Sequence, residues 1–309
     1  GGFGYIGGRL AKAIVAHTEH RVILGSRTPR KVPSQLTGVS SVVTQWSSPE
    51  SLEHIMCGVD VVIHASGMNA QDCEDSPDMA LQVNGVATSN LLMAAIKQKV
   101  GRFIYLSTIH VYGAPLTGRI TEESPTKGIH PYATSHKAGE NAVLTESKKG
   151  SIQGIVVRLS NAIGAPMHKD VDCWKLLVND ISRQAILKDK IVLYSSGRQI
   201  RDFISLTDTC NAITHLISCS LDNKSNSIFN VGGACSISVI DMTQKFAERF
   251  SKLTNIQLKV EYKKDLKVLK EIKLNYCIDK LINSGFSPSK NINQELDGLI
   301  NFCITKFKY

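Results

Sequence analysis

The chain has 309 residues, of which 42% are hydrophobic and 20% are charged, and its formal charge is +9. This composition is typical of a globular protein that buries one large core or two unequal ones. No apolar run reaches the roughly 18 to 20 residues that a membrane span requires, and no secretory signal is visible, so we expect no membrane span and a cytoplasmic location.

The first predicted element is a glycine-rich turn, GGFGYIGGRL, that runs into a helix over residues 9–17. Glycines let the backbone turn tightly, so that a pyrophosphate can rest on the free N–H groups of a helix N-terminus. Because such a turn normally follows a β-strand, we expect the first strand to be truncated in this sequence. The residues predicted to bind a dinucleotide here are Gly1, Gly4, Tyr5, Ile6 and Gly7.

The second element is a strand at residues 21–24, followed by Gly25, Ser26 and Arg27. An acidic residue at this point would bind the adenine-ribose hydroxyls of NAD, whereas a guanidinium suits a 2′-phosphate. With Ser26 and Arg27 as cofactor contacts, the sequence favours NADP over NAD. The alternative is that Arg27 and Arg30 are solvated turn residues.

Strand and helix signals then alternate along the first half. Apolar runs of strand length are separated by stretches with helical spacing, which predicts an α/β fold with a doubly wound parallel (Rossmann) sheet. The further strands are predicted at residues 59–64, 103–106 and 154–159, and the helices between them at 80–98 and 135–147.

The alternation loosens after about residue 165, which indicates a smaller C-terminal α/β substrate domain. We therefore divide the chain into an NAD(P)-binding domain, residues 1–165, and a mainly substrate-binding domain, residues 166–309. A return segment near 205–232 is expected to pack on the first domain. In this half we predict helices at 171–187, 207–218 and 239–253, and strands near 191–194 and 228–231.

Eight sequence blocks occur in a recognisable order. They are GGFGYIGGRL, VDVVIHASG, VNGVATSNLLMAA, FIYLSTIHVYG, HPYATSHKAGE, VVRLSNAIGAP, RQIRDFISLTD and FNVGG. In this order they resemble the extended short-chain dehydrogenases/reductases, in the NAD(P)-dependent sugar-nucleotide epimerase/dehydratase group, over roughly residues 1–235. The resemblance implies a nucleotide-sugar substrate and further cofactor contacts from Ala65, Ser66 and Gly67.

The resemblance also implies that Tyr132 is the general acid/base and that Thr108 binds the same sugar oxygen. In the family a lysine four residues after the tyrosine binds the nicotinamide ribose and lowers the phenol pKa. Here that position is His136, and Lys137 follows one residue later. On a helix, i+4 lies about 40° from residue i and i+5 about 140°. We therefore expect Tyr132 and His136 to contact the cofactor and Lys137 to point elsewhere.

His110 marks a second departure from the family pattern. Family members that eliminate water carry Asp and Glu after the threonine, where this chain has Ile109 and His110. A 4,6-dehydratase activity is therefore disfavoured. A histidine in this place could move a proton near neutral pH, so His110 is a candidate catalytic residue. The alternative is a polar side chain that only lines the pocket.

Two blocks of the second half imply substrate contacts. Asn161 matches the asparagine that contacts the nucleotide diphosphate, and Arg201 the arginine that clamps it; a guanidinium fork suits two phosphate oxygens. The structural alternatives are a strand-end cap for Asn161 and an ion pair of Arg201 with Asp202. We favour the substrate-binding interpretation.

Two functions remain open at this stage. The first is an enzyme that oxidises or reduces C4 of a nucleotide-diphosphate sugar, as a 4-epimerase or a 4-ketoreductase, with NADP or NAD. The second is a weakly active or non-catalytic relative that binds NADP as a sensor or scaffold. A homodimer is expected if the family habit holds for the helices at 80–98 and 135–147.

The cysteines and the C-terminal charge add little to these functions. The eight cysteines show no CxxC pair and no histidine pair has metal spacing, so no metal is predicted and a reducing compartment is expected. Residues 251–309 carry 11 lysines against six acidic residues, a net +5. A patch for nucleic acid or a membrane face is possible from charge alone. Without aromatic interleaving or a nucleic-acid motif, we favour a solvated helix around residues 259–273 and expect no nucleic-acid partner.

Overall fold

The structure is a computed structural model that describes residues 1–220, 227–262 and 273–307. A π-helical segment, Leu81–Val86, joins two of the helices, and a 3₁₀ turn, Ile109–Tyr112, follows one of the strands. The strands in the described residues are β1 (Ile23–Ser26), β2 (Ser40–Val43), β3 (Val61–His64), β4 (Arg102–Thr108), β5 (Gly118–Ile120), β6 (Gln153–Leu159), β7 (Asn161–Ile163), β8 (Lys190–Leu193), β9 (Ile200–Ser205), β10 (Ile228–Val231), β11 (Ser236–Ser238), β12 (Lys259–Tyr262) and β13 (Leu274–Tyr276). The α-helices are α1 (Tyr5–His17), α2 (Pro49–Ile55), α3 (Ala70–Asp75), α4 (Pro77–Ala80), α5 (Ala87–Lys97), α6 (Pro131–Lys149), α7 (Leu177–Lys188), α8 (Leu206–Ser218), α9 (Val239–Thr254), α10 (Asp279–Asn283) and α11 (Ile292–Phe307).

The central sheet is parallel and has the strand order β10-β6-β4-β3, while β1 and β2 form a separate parallel pair. Side chains alternate between the two faces of β4. Phe103 and Tyr105 join the core cluster that includes residues of α2 and α5, whereas Ile104 and Leu106 join the cluster that includes residues of α1 and α8. Both faces are therefore covered by helices, which confirms the predicted doubly wound α/β fold.

A cavity of about 440 Å³ lies between β1 and β3. Apolar side chains of both strands and of α1 line it, among them Leu10, Ile14, Leu24 and Val62. Within the described residues β1 pairs only with β2, and β3 pairs only with β4. In a doubly wound sheet this is the position next to the first helix at which the pyrophosphate-binding turn lies.

Helix α6 begins four residues earlier than the predicted helix at 135–147. Pro131 occupies its first position, where a missing N–H costs nothing, and the His130 side chain accepts a hydrogen bond from the N–H of Tyr132. Gly150 ends the helix with φ 77, a left-handed conformation that suits glycine. The earlier start puts Tyr132 in the first turn, directly beyond the carboxyl edge of the sheet.

The predicted helix at 80–98 is divided. Its residues belong to α4, the π-helical segment and α5, so the spacing predicted the helical stretch but not the wide turn. By length and composition Pro77–Lys97 could cross a membrane, yet 44% of its apolar 18-residue stretch is buried inside the protein. Because the core helices of soluble proteins pass the same test, this is weak evidence for a membrane span.

The second half has its own core, in which residues of α7, α9 and α11 pack together. Helix α8 and strand β10 pack on the first half: β10 pairs with β6, and Ile213 and Leu216 of α8 pack in one cluster with Leu10. Helix α7 begins six residues later than predicted, because residues 171–176 form turns whose backbone bonds include Cys173 N–H to Val171 O.

The lysine-rich segment at 259–273 corrects one prediction. Its first four residues, Lys259–Tyr262, do not form a helix but strand β12, which pairs in parallel with β8. Residues 263–272, which include most of the predicted solvated helix, lie outside the described residues. Val260 of β12 packs against the core of the second half, so part of this segment is a sheet edge.

Candidate active site

The glycines of the turn allow protein backbone segments to pack directly against each other. A Cβ on Gly1 would overlap the carbonyl group of Ala65, and a Cβ on Gly7 would overlap the carbonyl oxygen of Gly1. The Gly4 N–H donates to Gly1 O at 2.9 Å, and no side chain caps α1. The first-turn N–H groups of α1 thus stay available, and this uncapped helix N-terminus fits a dinucleotide pyrophosphate.

The side chain of Tyr5 turns away from this helix end. Its hydroxyl lies 3.0 Å from Gly164 O and 3.2 Å from Asn179 Oδ1, and burial raises its pKa. Tyr5 therefore presents its backbone N–H, and not its side chain, to the predicted cofactor position. The same holds for Ile6, whose side chain packs against the core. The tyrosine ring connects α1 to α7, so it also joins the two halves of the chain.

The end of β1 lies beside the glycine turn, because the Gly2 N–H donates to Gly25 O at 3.3 Å. Ser26 ends the strand and Arg27 follows it with an exposed side chain. The Arg30 guanidinium lies 5.8 Å from the centre of the Phe3 ring, a cation–π distance. Two guanidinium groups thus follow the strand on the side of the turn where an adenine ribose would lie.

Thr108 and Tyr132 meet beyond the carboxyl end of the central sheet. Thr108 ends β4, and its hydroxyl accepts a hydrogen bond from the His110 N–H at 3.2 Å. Burial raises the pKa of the Tyr132 phenol, and a hydrogen bond with the Thr108 side chain opposes that increase. A hydroxyl and a phenol placed beside each other in this way can hold and deprotonate a substrate hydroxyl.

His136 lies against Tyr132, with ring centres 4.6 Å apart and the rings edge to face. Its side chain is only 5% exposed, and burial lowers its pKa to about 4 although Glu140 acts in the opposite direction. His136 is therefore neutral at pH 7. The Cε1–Nε2 edge of the ring faces Gly67 at the end of the β3 segment, where a Cβ would lie 3.6 Å from either atom.

Lys137 points away from Tyr132, as the helical period predicts. Its ammonium group lies 2.9 Å from Glu140 Oε2, and Glu140 also pairs with the buried Arg158 guanidinium at 2.8 Å. The same carboxylate accepts a hydrogen bond from the Ser107 hydroxyl at 2.6 Å. Lys137 thus belongs to a structural charge network, and the charge that the family places beside the tyrosine is not supplied by this side chain.

His110 and Ile109 differ in their surroundings. Ile109 is 1% exposed and packs in an apolar cluster with Val111 and Tyr112. His110 exposes part of its surface to solvent, while its ring lies 5.9 Å from the Tyr132 ring, centre to centre. Desolvation, then the nearby charges of Arg201 and His130, lowers the pKa of His110 to about 4, so it also is neutral at pH 7.

Asn161 and Arg201 have different contacts. The Asn161 side-chain N–H donates to Asp202 O at 2.9 Å, which matches the structural alternative of a strand cap. Asp202 accepts hydrogen bonds from the N–H groups of Gly233 and Cys235. Among the described residues no carboxylate pairs with Arg201, and burial lowers the pKa of its guanidinium. A desolvated cation of this kind fits a diphosphate.

The chain matches a family model over three quarters of its length. That model is described as the NAD dependent epimerase/dehydratase family and matches residues 1–232. The chain belongs to this family. Within the described residues, no three His, Cys, Asp or Glu side chains form a group that could hold a metal ion.

Relatives of known name agree with the family. A dTDP-glucose 4,6-dehydratase of Streptomyces niveus is 24% identical over 195 residues, which are 63% of this chain and 56% of the relative. A dTDP-6-deoxy-L-talose 4-dehydrogenase (NAD(P)(+)) of Kitasatospora kifunensis is 28% identical over 240 residues, 75% of this chain and 72% of the relative. The chain thus spans little more than half the length of the first of these relatives.

The fold also agrees with solved structures. UDP-glucose 4-epimerase of Thermotoga maritima, in a structure with UDP-glucose, is similar with a TM-score of 0.82 and 18% identity, covering 98% of this chain and 96% of the other. Structures of similar fold include complexes with NAD and with NADPH. At these identities the similarity supports the fold of the epimerase/dehydratase family and not a particular substrate.

Two residues beside His136 were missed by the sequence analysis. Tyr105 on β4 and Asn84 in the π-helical segment both lie against the histidine side of α6. Gly139 allows this approach, because a Cβ there would be 2.7 Å from Asn84 O. The available signal was the hydroxyl of Tyr105 within FIYL, where the other three residues, Phe103, Ile104 and Leu106, are apolar.

Proposed function

We propose that the protein is an NAD(P)-dependent enzyme that oxidises or reduces C4 of a nucleotide-diphosphate sugar, as a 4-epimerase or a 4-ketoreductase. The observation that carries the proposal is the grouping of Thr108, Tyr132 and His136 beside Gly67. This grouping joins a proton-transfer pair to the loop that follows β3, next to the glycine turn. The named relatives that act at C4 of a sugar support the same choice.

In the proposed mechanism Thr108 and Tyr132 hold the C4 oxygen of the sugar, and the Tyr132 phenolate takes the hydroxyl proton during oxidation. The nicotinamide cofactor, when bound, supplies the hydride acceptor or donor. Return of the hydride to the opposite face of the 4-keto sugar would give the epimer, and net reduction of a 4-keto sugar would give the alcohol. Arg201, with Asn161 beside it, would bind the diphosphate.

Elimination of water is less well supported for this chain. A 4,6-dehydratase needs an acid and a base near C6, and the first of the two candidate positions is the buried apolar Ile109. His110 lies next to Tyr132 and exposes part of its surface to solvent, and in its neutral form it can accept a proton. We propose that His110 lines the sugar pocket and assists proton transfer there, but does not form the acid and base pair of a dehydratase.

The second candidate function is an NADP-binding relative that acts as a sensor or scaffold with little or no turnover. One observation favours it: a neutral His136 in the lysine position leaves Tyr132 without the positive charge that would favour its phenolate. The Thr108 and Tyr132 pair favours the enzyme, because cofactor binding alone requires neither side chain.

A substrate panel separates these functions. The purified protein would be incubated with NAD or NADP and with UDP-, GDP-, CDP- and dTDP-sugars, and products would be followed by NMR. For the enzyme we expect C4 epimerisation or reduction of at least one sugar, lost in Tyr132→Phe. Cofactor binding without any turnover would contradict the enzyme and support the sensor.

For the cofactor we propose a preference for NADP. Arg27 follows β1 and its side chain is exposed. The last two residues of β1 are Gly25 and Ser26, and neither carries a carboxylate. A guanidinium binds a phosphate through charge-assisted hydrogen bonds, whereas the ribose hydroxyls of NAD would have no acidic partner there. The comparison of NADPH and NADH affinities tests this preference.

For the assembly we propose a homodimer formed by the helical stretch Pro77–Lys97 and by α6. Met79, Val86 and Met93 recur every seven residues along the stretch and are between 41% and 54% exposed. A row of large apolar side chains at this spacing is suited to packing against a second helix.

We also propose that residues 1–165 mainly bind the cofactor and residues 166–309 the substrate, and that the eight free cysteines indicate a reducing, cytoplasmic location.

A further inference from the structure

The carbonyl oxygen of Asn84 is the centre of a buried hydrogen-bond cluster. It lies in the π-helical segment and accepts the hydroxyl of Thr88 at 2.7 Å and the hydroxyl of Tyr105 at 3.2 Å. Each hydroxyl also contacts a histidine: Thr88 Oγ1 lies 3.0 Å from His64 Nε2, and Tyr105 Oη lies 3.0 Å from His136 Nδ1.

The direction of these bonds follows from the number of hydrogens. A carbonyl oxygen can only accept, and it has two lone pairs, while each hydroxyl has one hydrogen to give. When both hydroxyls donate to Asn84 O, both oxygens remain free to accept from the imidazoles. This arrangement makes each of these four contacts a hydrogen bond. If Tyr105 instead donated to His136, its contact with Asn84 O would be lost.

We propose that Tyr105 is a positioning residue that fixes the tautomer of His136, with the proton on Nδ1 and a lone pair on Nε2. The chain of bonds then runs from Nδ1–H to Tyr105 and from Tyr105 to Asn84 O. Because the carbonyl oxygen cannot release a proton, the chain ends there and serves as an anchor and not as a proton conduit.

The fixed tautomer determines what His136 can bind. Its Cε1–Nε2 edge faces Gly67, so a lone pair and not an N–H is directed toward that loop. Under the proposed function, on which this step rests, Nε2 accepts a hydrogen bond from a ribose hydroxyl of the bound cofactor. A lysine ammonium in the same place could only donate. The histidine therefore keeps the binding position of the lysine and reverses the direction of the hydrogen bond.

Nitrogen NMR of the cofactor-free protein tests the tautomer directly. Long-range proton–nitrogen correlations in the ¹⁵N-labelled protein distinguish protonated from unprotonated imidazole nitrogens, and the signals that vanish in His136→Asn belong to His136. At pH 7 we expect Nδ1 protonated and Nε2 unprotonated. A wild-type His136 with the proton on Nε2 would overturn the proposal, and this measurement does not depend on the folding of Tyr105→Phe.

Tyr105→Phe removes the anchor, and Thr88→Val is its matched control because it removes the other hydroxyl from the same carbonyl. We expect His136 to move its proton to Nε2 in Tyr105→Phe and to keep it on Nδ1 in Thr88→Val. NADPH binding should weaken about tenfold in Tyr105→Phe, as expected for one lost hydrogen bond. An unchanged tautomer in Tyr105→Phe contradicts the role. If His136 shows the expected tautomers but the protein turns over none of the sugars, the proposed function is contradicted and the role of Tyr105 is not.

Discussion

The replacement His136→Lys should restore the missing charge beside Tyr132. In the wild type, burial raises the pKa of Tyr132 and lowers that of His136 to about 4, so a neutral phenol lies beside a neutral imidazole at pH 7. Activity that requires the phenolate should therefore increase toward alkaline pH. A lysine ammonium in the histidine position favours the phenolate and should move the low-pH limb of the rate profile to lower pH.

The size of the shift follows from the geometry. The rings of Tyr132 and His136 are 4.6 Å apart, centre to centre. At a separation of about 5 Å and an effective dielectric constant of about 20, one positive charge stabilises the phenolate by about 3 kcal/mol. This corresponds to a decrease of about 2 units in the phenol pKa. Glu140 lies on the same helix and helps to keep an introduced ammonium charged.

The pH dependence of kcat/KM on the sugar found in the panel measures this shift. Ultraviolet difference titration against Tyr132→Phe measures the same pKa without turnover. Lys137→Gln is the control. The ammonium group of Lys137 pairs with Glu140 and not with Tyr132, so the low-pH limb should not move in this variant. His136→Ala should remove most of the activity. An unchanged limb in His136→Lys would refute the effect of a charge at residue 136 on the phenol pKa, whereas His136→Ala replaces a neutral group and should leave the limb in place.

Three further predictions concern the cofactor, the assembly and the acid stability. Arg27→Ala should weaken NADPH binding by about ten- to a hundredfold and leave NADH binding almost unchanged in fluorescence titrations, because it removes a charge-assisted contact to the 2′-phosphate; equal losses for both cofactors would contradict it. Val86→Glu should convert the dimer to a monomer in sedimentation experiments, whereas Lys99→Glu, beyond α5, should not. The pKa of buried His64 is lowered to about 3, so the unfolded state binds its proton first and stability decreases as pH falls below about 6.5. His64→Gln should recover up to about 3 kcal/mol of that loss at pH 4 in urea unfolding, and equal pH slopes in both proteins would contradict the assignment.

The parallel sheet could be predicted from the sequence because its strands are buried on both faces. Runs such as residues 103–106 (FIYL) and 154–157 (GIVV) are largely apolar on both faces, which is the pattern of a central parallel strand. The strand at 228–231 was predicted with the bounds that the structure has. Spacing also separated His136 from Lys137, because a helix of fixed period places neighbours in sequence on different sides.

Other features depend on contacts between distant segments. The shift of α7 to Leu177 and the strand at Lys259–Tyr262 reflect tertiary packing that overrides local spacing. The π-helical turn has no apolar pattern of its own. The charge of His136 could not be predicted either. Its pKa of about 4 results from burial of the imidazole, and the burial of one side chain cannot be read from a single sequence.

In the proposed enzyme, His136 would separate two tasks that the resemblance assigns to a single lysine ammonium group. Position is retained, because the i+4 spacing and the contact with Tyr105 hold the ring between Tyr132 and Gly67. Charge is not retained, because a buried imidazole stays neutral where a more basic amine can remain protonated. A site built this way should therefore bind its cofactor at neutral pH and depend on alkaline pH for proton transfer. Cofactor affinity and turnover should then show different pH profiles in the wild type and similar ones in His136→Lys.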